Sequence, residues 1–130
     1  MKPFAASLGI RHLVCGSCNG CEHEMNALTG PAYDITARGW DIVASPRHAD
    51  IVTATGPMTE QMRQAARDTV DAVARPRVVV AIGDCAIGTG TWCRNGSGAG
   101  SELAATIEVP GCPPSPQAII DGLAAAAKTL

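Results

Sequence analysis

Residues 77–82 leave the chain little choice of architecture. After Arg77 the run Val78-Val79-Val80-Ala81-Ile82 is apolar at every position. So short and uninterrupted a run fits a strand covered on both faces, the central strand of a parallel sheet. Parallel neighbours need crossovers, usually helices, and the rest of the sequence supplies that alternation. Residues 11–14, 41–44, 49–54 and 106–109 read as further strands, and residues 22–28, 59–74 and 115–130 as helices. In the second helix Thr59 stands as N-cap, and Met62, Ala66, Val70 and Val73 make an apolar face at helical spacing. Arg75-Pro76 stops it. Pro116 falls in the first turn of the last helix, where proline is tolerated. Residues 86–101 carry five glycines and read as a loop. The expectation is an α/β fold, an open and mostly parallel sheet with helices on both faces, as a single domain over residues 1–130.

Composition narrows the function classes. The chain is 46% apolar but only 3% aromatic, so its core is built from Val, Ile, Leu and Ala. The net charge is −2 and no run of Lys or Arg occurs, which argues against a nucleic-acid footprint. No stretch approaches the ~20 apolar residues of a membrane span. The most apolar tail, residues 118–127, is broken by Asp121 and Gly122. Residues 1–11 make a poor signal peptide. The expected protein is soluble and cytoplasmic, with membrane association only through a partner.

The chemistry lies in the cysteines, of which there are six. In an intracellular chain that number argues for metal or redox use rather than a disulfide scaffold. Cys15, Cys18 and Cys21 fall in Cys15-Gly16-Ser17-Cys18-Asn19-Gly20-Cys21, Cys85 closes Gly83-Asp84-Cys85, and Cys112 sits in Pro110-Gly111-Cys112-Pro113-Pro114. Each group follows a predicted strand, and open α/β sheets bind ligands beyond the carboxyl ends of their strands. Thiols gathered there suit a thiolate-ligated iron–sulfur cluster. Spacing leaves two ligand sets open. Cys15, Cys18 and Cys21 with a remote Cys112-Pro113 imitate a ferredoxin run. Cys18, Cys21, Cys85 and Cys112 form the other set, and the glycines favour it: Gly83 and Gly111 stand close to a cysteine where backbone must approach a bulky inorganic core, and Gly16 and Gly20 are placed to do the same. Two rivals use the same residues. One is a zinc-stabilised interaction module. The other is a thiol–disulfide protein acting through Cys18-Asn19-Gly20-Cys21.

From about Leu13 to Leu123 the chain resembles the small iron–sulfur subunit shared by respiratory complex I (its B, or 20 kDa, subunit) and the energy-converting [NiFe] hydrogenases. The resemblance rests on four segments in family order. They are Gly16-Ser17-Cys18-Asn19-Gly20-Cys21-Glu22-His23-Glu24-Met25; Ala44-Ser45-Pro46-Arg47-His48-Ala49-Asp50-Ile51; the strand with Gly83-Asp84-Cys85; and Val109-Pro110-Gly111-Cys112-Pro113-Pro114-Ser115-Pro116. It implies a flavodoxin-like fold and one [4Fe–4S] cluster, with Cys18, Cys21, Cys85 and Cys112 as ligands by motif position. It also implies a large catalytic partner, a [NiFe] hydrogenase large subunit or a complex I 49 kDa-like subunit, together with further iron–sulfur subunits. Cys18 and Cys21, separated by Asn19-Gly20, follow the hydrogenase pattern rather than the adjacent cysteines usual in complex I. Ser115 and Gln117 stand where the family often has Arg and Glu.

Other residues carry two readings each. Glu24 matches a family glutamate and reads either as a proton-handling group or, with Glu22, as first-turn acidity complementing the helix dipole. Arg47 matches the family's S-P-R segment and reads as facing the cluster or the partner, or as a solvated side chain. His23 reads as a surface residue, Asp84 as a turn cap, and Cys15 and Cys93 as spare thiols. A small domain with a cluster on one side is also expected to expose an apolar patch for its partner.

Overall fold

The computed structural model describes residues 7–90 and 98–130. Cys93, and residues 91–97 of the predicted glycine-rich loop, lie outside them. Five strands form one all-parallel sheet: β1 (Leu8–Val14), β2 (Trp40–Ile42), β3 (Ile51–Thr55), β4 (Val78–Ile82) and β5 (Ile107–Val109). The order is β2-β1-β3-β4-β5, the doubly wound order of flavodoxin-like sheets. The helices are α1 (Gly20–Ala27), α2 (Glu60–Asp71), one-turn α3 (Asp84–Ile87), one-turn α4 (Ala99–Glu102) and α5 (Pro116–Thr129).

Strand alternation splits the apolar side chains into two cores, because successive residues point to opposite faces. On one face Leu8, Ile10, Ile51, Val78, Val80 and Ile82 pack with Met25 of α1, Leu28 at its C-cap, and Ile119, Ile120 and Leu123 of α5. On the other, Leu13, Val52, Ala54, Val79 and Ala81 pack with Ala66 and Val70 of α2, Ala86 of α3, and Ala99 and Leu103 beside α4. Both faces are covered, so β3 and β4 are buried along their whole lengths.

Several boundaries differ from the sequence reading, and three of them bear on the site. β1 starts at Leu8, not residue 11. Gly9 interrupts the apolar pattern, yet a side chain is excluded there: a Cβ would stand 2.1 Å from the His48 carbonyl oxygen. Gly9 joins the pairing through its backbone, its N–H donating to Asp50 Oδ2 at 3.0 Å and its carbonyl accepting the Asp50 N–H at 2.8 Å. The loop 86–101 is not irregular throughout, for α3 and α4 occupy its two ends. Its alanines override its glycines, since Ala86 and Ala99 are fully buried against the sheet. α2 ends at Asp71, with Arg75-Pro76 beyond it as a cis peptide. Thr59 holds the N-cap position of α2 without a side-chain cap hydrogen bond. At α5, Ser115 is the N-cap and accepts from Ala118 N–H at 3.2 Å.

The register sets up the site. Val14 pairs with Thr55, and Ile82 with Val109. β1, β4 and β5 therefore end along one edge, and the chain leaves each of them directly into a cysteine-bearing turn.

Candidate metal centre

The turn after β1 doubles back at once into α1. Asn19, with φ 75°, is its N-cap residue, and Cys21 lies in its first turn. Cys18 is exposed and Cys21 half-buried. The turn after β4 is Gly83, with φ 91° and ψ 158°, leading into α3 with half-buried Cys85. The turn after β5 carries exposed Cys112 and a cis Cys112-Pro113 bond. Asp84 clamps the last two turns together. Its N–H donates to the Gly111 carbonyl at 2.8 Å, and its Oδ1 accepts the Gly111 N–H at 2.8 Å. Asp84 thus does more than cap its own turn: it fixes Cys85 and Cys112 relative to one another.

The sulfurs of these turns share one electrostatic neighbourhood. Burial pushes the Cys21 thiol up to about 12, and the charges of Glu22, Cys18, Cys85 and Cys112 add to that. The other three predicted ligands therefore all lie in the electrostatic surroundings of Cys21. Near neutral pH such a thiol keeps its proton, and a metal must displace it. Among the described residues no three His, Cys, Asp or Glu side chains close on a single metal ion.

The glycines give a steric test of whether a bulky group fits. A Cβ on Gly83 would stand 2.6 Å from Cys21 Sγ, and one on Gly90 would stand 2.8 Å from Cys85 Sγ. A Cβ on Gly20 would stand 3.6 Å from Cys18 Sγ and 4.0 Å from Pro113 Cγ. Backbone without a side chain thus lies hard against the Cys21 and Cys85 sulfurs, where a Cβ would collide, while the contact at Gly20 is an ordinary one. Four soft thiols on three turns of one sheet edge are the donor set that a thiolate-held inorganic group would need. Gly16 and Gly111 do not contribute in this way, because the atoms crowding them belong to Thr59 and Pro114.

Cys15 is absent from this group. It is fully buried in the α2-side core, its N–H donates to the Thr55 carbonyl, and its carbonyl accepts from Thr59 N–H. Burial, then Glu102 and Glu22, push its thiol up to about 11. Arg47 is also apart. It is exposed in the turn before β3, at the level of Gly9 and at the opposite end of the strands from the cysteines. That placement removes the cluster-facing reading of Arg47. Glu24 is half-buried one turn after Cys21, with no hydrogen bond or ion pair among the described residues. His23 is exposed, its Nε2 3.4 Å from the side-chain Nδ2 of Asn19. Large apolar side chains do not form the expected patch: among the described residues the exposed ones are Val14 and Ile42, of which Val14 ends β1 beside the site.

The sequence reading missed a buried polar network beneath the first turn. Glu22 accepts hydrogen bonds from the hydroxyls of Ser17 and Thr55, and its Oε1 lies 3.0 Å from His12 Nε2. His12 Nδ1 in turn lies 2.8 Å from Thr53 Oγ1. Burial alone would push the Glu22 carboxyl up, but the hydrogen bonds from His12, Ser17 and Thr55 outweigh it and bring it down to about 2. A signal was available. His12 continues the face of Ile10, and Thr53 and Thr55 continue that of Ile51, so the polar residues recur at strand period on one side of adjacent strands.

Comparison with known proteins places this arrangement. A family model described as "NADH ubiquinone oxidoreductase, 20 Kd subunit" matches residues 18–126. The probable membrane-bound hydrogenase subunit mbhJ of Pyrococcus furiosus is 37% identical over 99% of this chain and 79% of its own length. Formate hydrogenlyase subunit 7 of Escherichia coli is 35% identical over 97% of this chain, which spans about half (51%) of that protein. The B subunit of NADH-quinone oxidoreductase from Clostridium beijerinckii is 37% identical over 79% of the chain and 63% of its own length. Among solved structures, a chain of the archaeal membrane-bound sulfane sulfur reductase complex superposes with TM-score 0.75 at 28% identity, covering 97% of this chain and 71% of that one. A chain of an NAD+-reducing [NiFe]-hydrogenase shares the fold, with TM-score 0.69 at 16% identity over 95% of this chain and 92% of its own.

Proposed function

Because the chain belongs to the family of the 20 kDa subunit of NADH ubiquinone oxidoreductase, we propose that it carries one [4Fe–4S] cluster on Cys18, Cys21, Cys85 and Cys112 and passes electrons to or from a large catalytic subunit. Its relatives are subunits of hydrogenase and NADH-quinone oxidoreductase complexes. The observation that carries the reading is the placement of those four thiols on three turns at one edge of the parallel sheet, two of the turns tied together by Asp84 and one pressed at Gly83 against the Cys21 sulfur.

The cluster, when bound, supplies one-electron transfer; the chain supplies position. Asp84 locks the second and third turns to each other. Gly83 keeps side-chain bulk away from Cys21. Exposed Cys18 and Cys112 form the outward side of the site, and half-buried Cys21 and Cys85 the inward side. The site is therefore open to a neighbour on one side, where a partner would exchange electrons. The partner in this reading is a [NiFe] hydrogenase large subunit or a complex I 49 kDa-like subunit, accompanied by other iron–sulfur subunits. Glu24, close to Cys21 and unpaired among the described residues, is placed for a proton or partner contact. Exposed Arg47 retains only the partner role. In this reading the chain works on the cytoplasmic side and reaches the membrane through its complex. No helix of the described residues is long and apolar enough to cross a membrane. Nucleic acid has no part in this reading.

The anaerobically prepared chain is expected to be brown, with broad visible absorption that bleaches on reduction as an EPR signal appears. A colourless, EPR-silent protein carrying stoichiometric zinc would replace this reading with the zinc module.

A further inference from the structure

Glu22 is a buried carboxylate one residue from Cys21, and electron transfer as described gives it no task. Its side chain is 11% exposed. Its hydrogen-bond partners come from three places: His12 in β1, Ser17 in the turn, and Thr55 in β3. Ser17 Oγ also accepts the Asn19 N–H at 3.0 Å. Ser17 and Glu22, hydrogen-bonded to each other, thus stand at the two ends of the Cys18–Cys21 segment. A carboxylate that accepts several hydrogen bonds is favoured in its charged form. Away from bulk water its field is screened far less than that of a surface charge.

We propose that Glu22, held by His12, Ser17 and Thr55, is a positioning residue that fixes the Cys18–Cys21 turn to the sheet and sets a low reduction potential for the group held there. The proposal rests on the cluster reading above. One electron added to a four-thiolate site brings negative charge toward a fixed anion, which disfavours the reduced state. Charge and hydrogen bonding around the ligands are the levers by which proteins tune such potentials. The step is electron transfer alone: the donor loses one electron, the site gains it, and no bond or proton moves.

The test uses the full chain loaded anaerobically, with iron and sulfide assayed in every preparation. Midpoint potentials are read by dithionite titration followed by EPR at one pH. Glu22→Gln, which keeps the shape and removes the charge, is expected to shift the reduction equilibrium at least tenfold toward the reduced form, about 59 mV for a one-electron couple. Glu22→Asp, which keeps the charge, shifts it less. Glu60→Gln, which removes an exposed carboxylate from α2, leaves it in place. Amide hydrogen exchange over residues 17–21 of the loaded chain reads the positioning role. It is expected to quicken at least tenfold in Ser17→Ala, and this variant carries the test if Glu22→Gln does not fold. A wild-type chain without iron and sulfide would overturn the cluster reading and this proposal together. A loaded Glu22→Gln chain with an unmoved potential, or a Ser17→Ala chain with unchanged exchange, would overturn the role of Glu22 alone.

Discussion

The Cys85→Ser chain is expected to lose its visible absorption and its reduced-state EPR signal, while a Cys15→Ser chain keeps both. Spacing alone cannot separate these two thiols, because Cys15 completes a ferredoxin-like run with Cys18 and Cys21. The fold separates them. Cys85 follows β4 and lies in the electrostatic field of Cys21. Cys15 turns into the core on the α2 side, fully buried beside Val52, Ala54 and Met58. Serine replaces a soft thiolate with a hard hydroxyl, so loss of a true ligand degrades the site rather than retuning it. A serine at position 15 buries a hydroxyl in an apolar core at a cost of about 1–3 kcal/mol. Cys15→Ala is the cleaner control, and both should retain about four irons per chain. A normal cluster in Cys85→Ser with none in Cys15→Ser would overturn the ligand assignment.

Gly83→Ala is expected to damage both stability and the site. The backbone there, at φ 91° and ψ 158°, occupies a region essentially restricted to glycine, with strain of roughly 1–3 kcal/mol for other residues. The added methyl would also stand 2.6 Å from Cys21 Sγ, and Cys21 cannot retreat without turning away from Cys18, Cys85 and Cys112. Crowding of this kind costs about 1–3 kcal/mol more. Denaturant unfolding should show a loss of about 3 kcal/mol or more, and the loaded protein should retain little iron. A Gly83→Ala chain with wild-type stability and full iron content would show that the close approach at Gly83 does not shape the site.

The sheet was legible because buried parallel strands are written as short apolar runs. Val78–Ile82 is the clearest of them. Once the strands are parallel, every turn that follows a strand lies on the same edge, so Cys18, Cys21, Cys85 and Cys112 converge whatever the details of the helices. The start of β1 was obscured because Gly9 breaks the apolar pattern for lack of space beside His48, and the network went unread because His12 sits inside the strand to reach Thr53 and Glu22. Helix phase is what the reading of the glutamates lacked. Two residues along an α-helix is about 200° around it, so Glu22 turns into the buried network while Glu24 stays on a half-buried flank of the helix. Motif likeness drew attention to Glu24, whereas burial belongs to Glu22. Arg47 shows the converse limit, since a segment that matches a family need not lie near that family's site. Pairing register put it at the far end of β1.

Iron and acid-labile sulfide, quantified on the anaerobically prepared full chain, test the central claim most directly. The account predicts about four of each per chain, retained in Cys15→Ala and lost when Cys18, Cys21, Cys85 or Cys112 is replaced. Stoichiometric zinc without sulfide, or iron and sulfide that persist when any one of those four cysteines is removed, would contradict it.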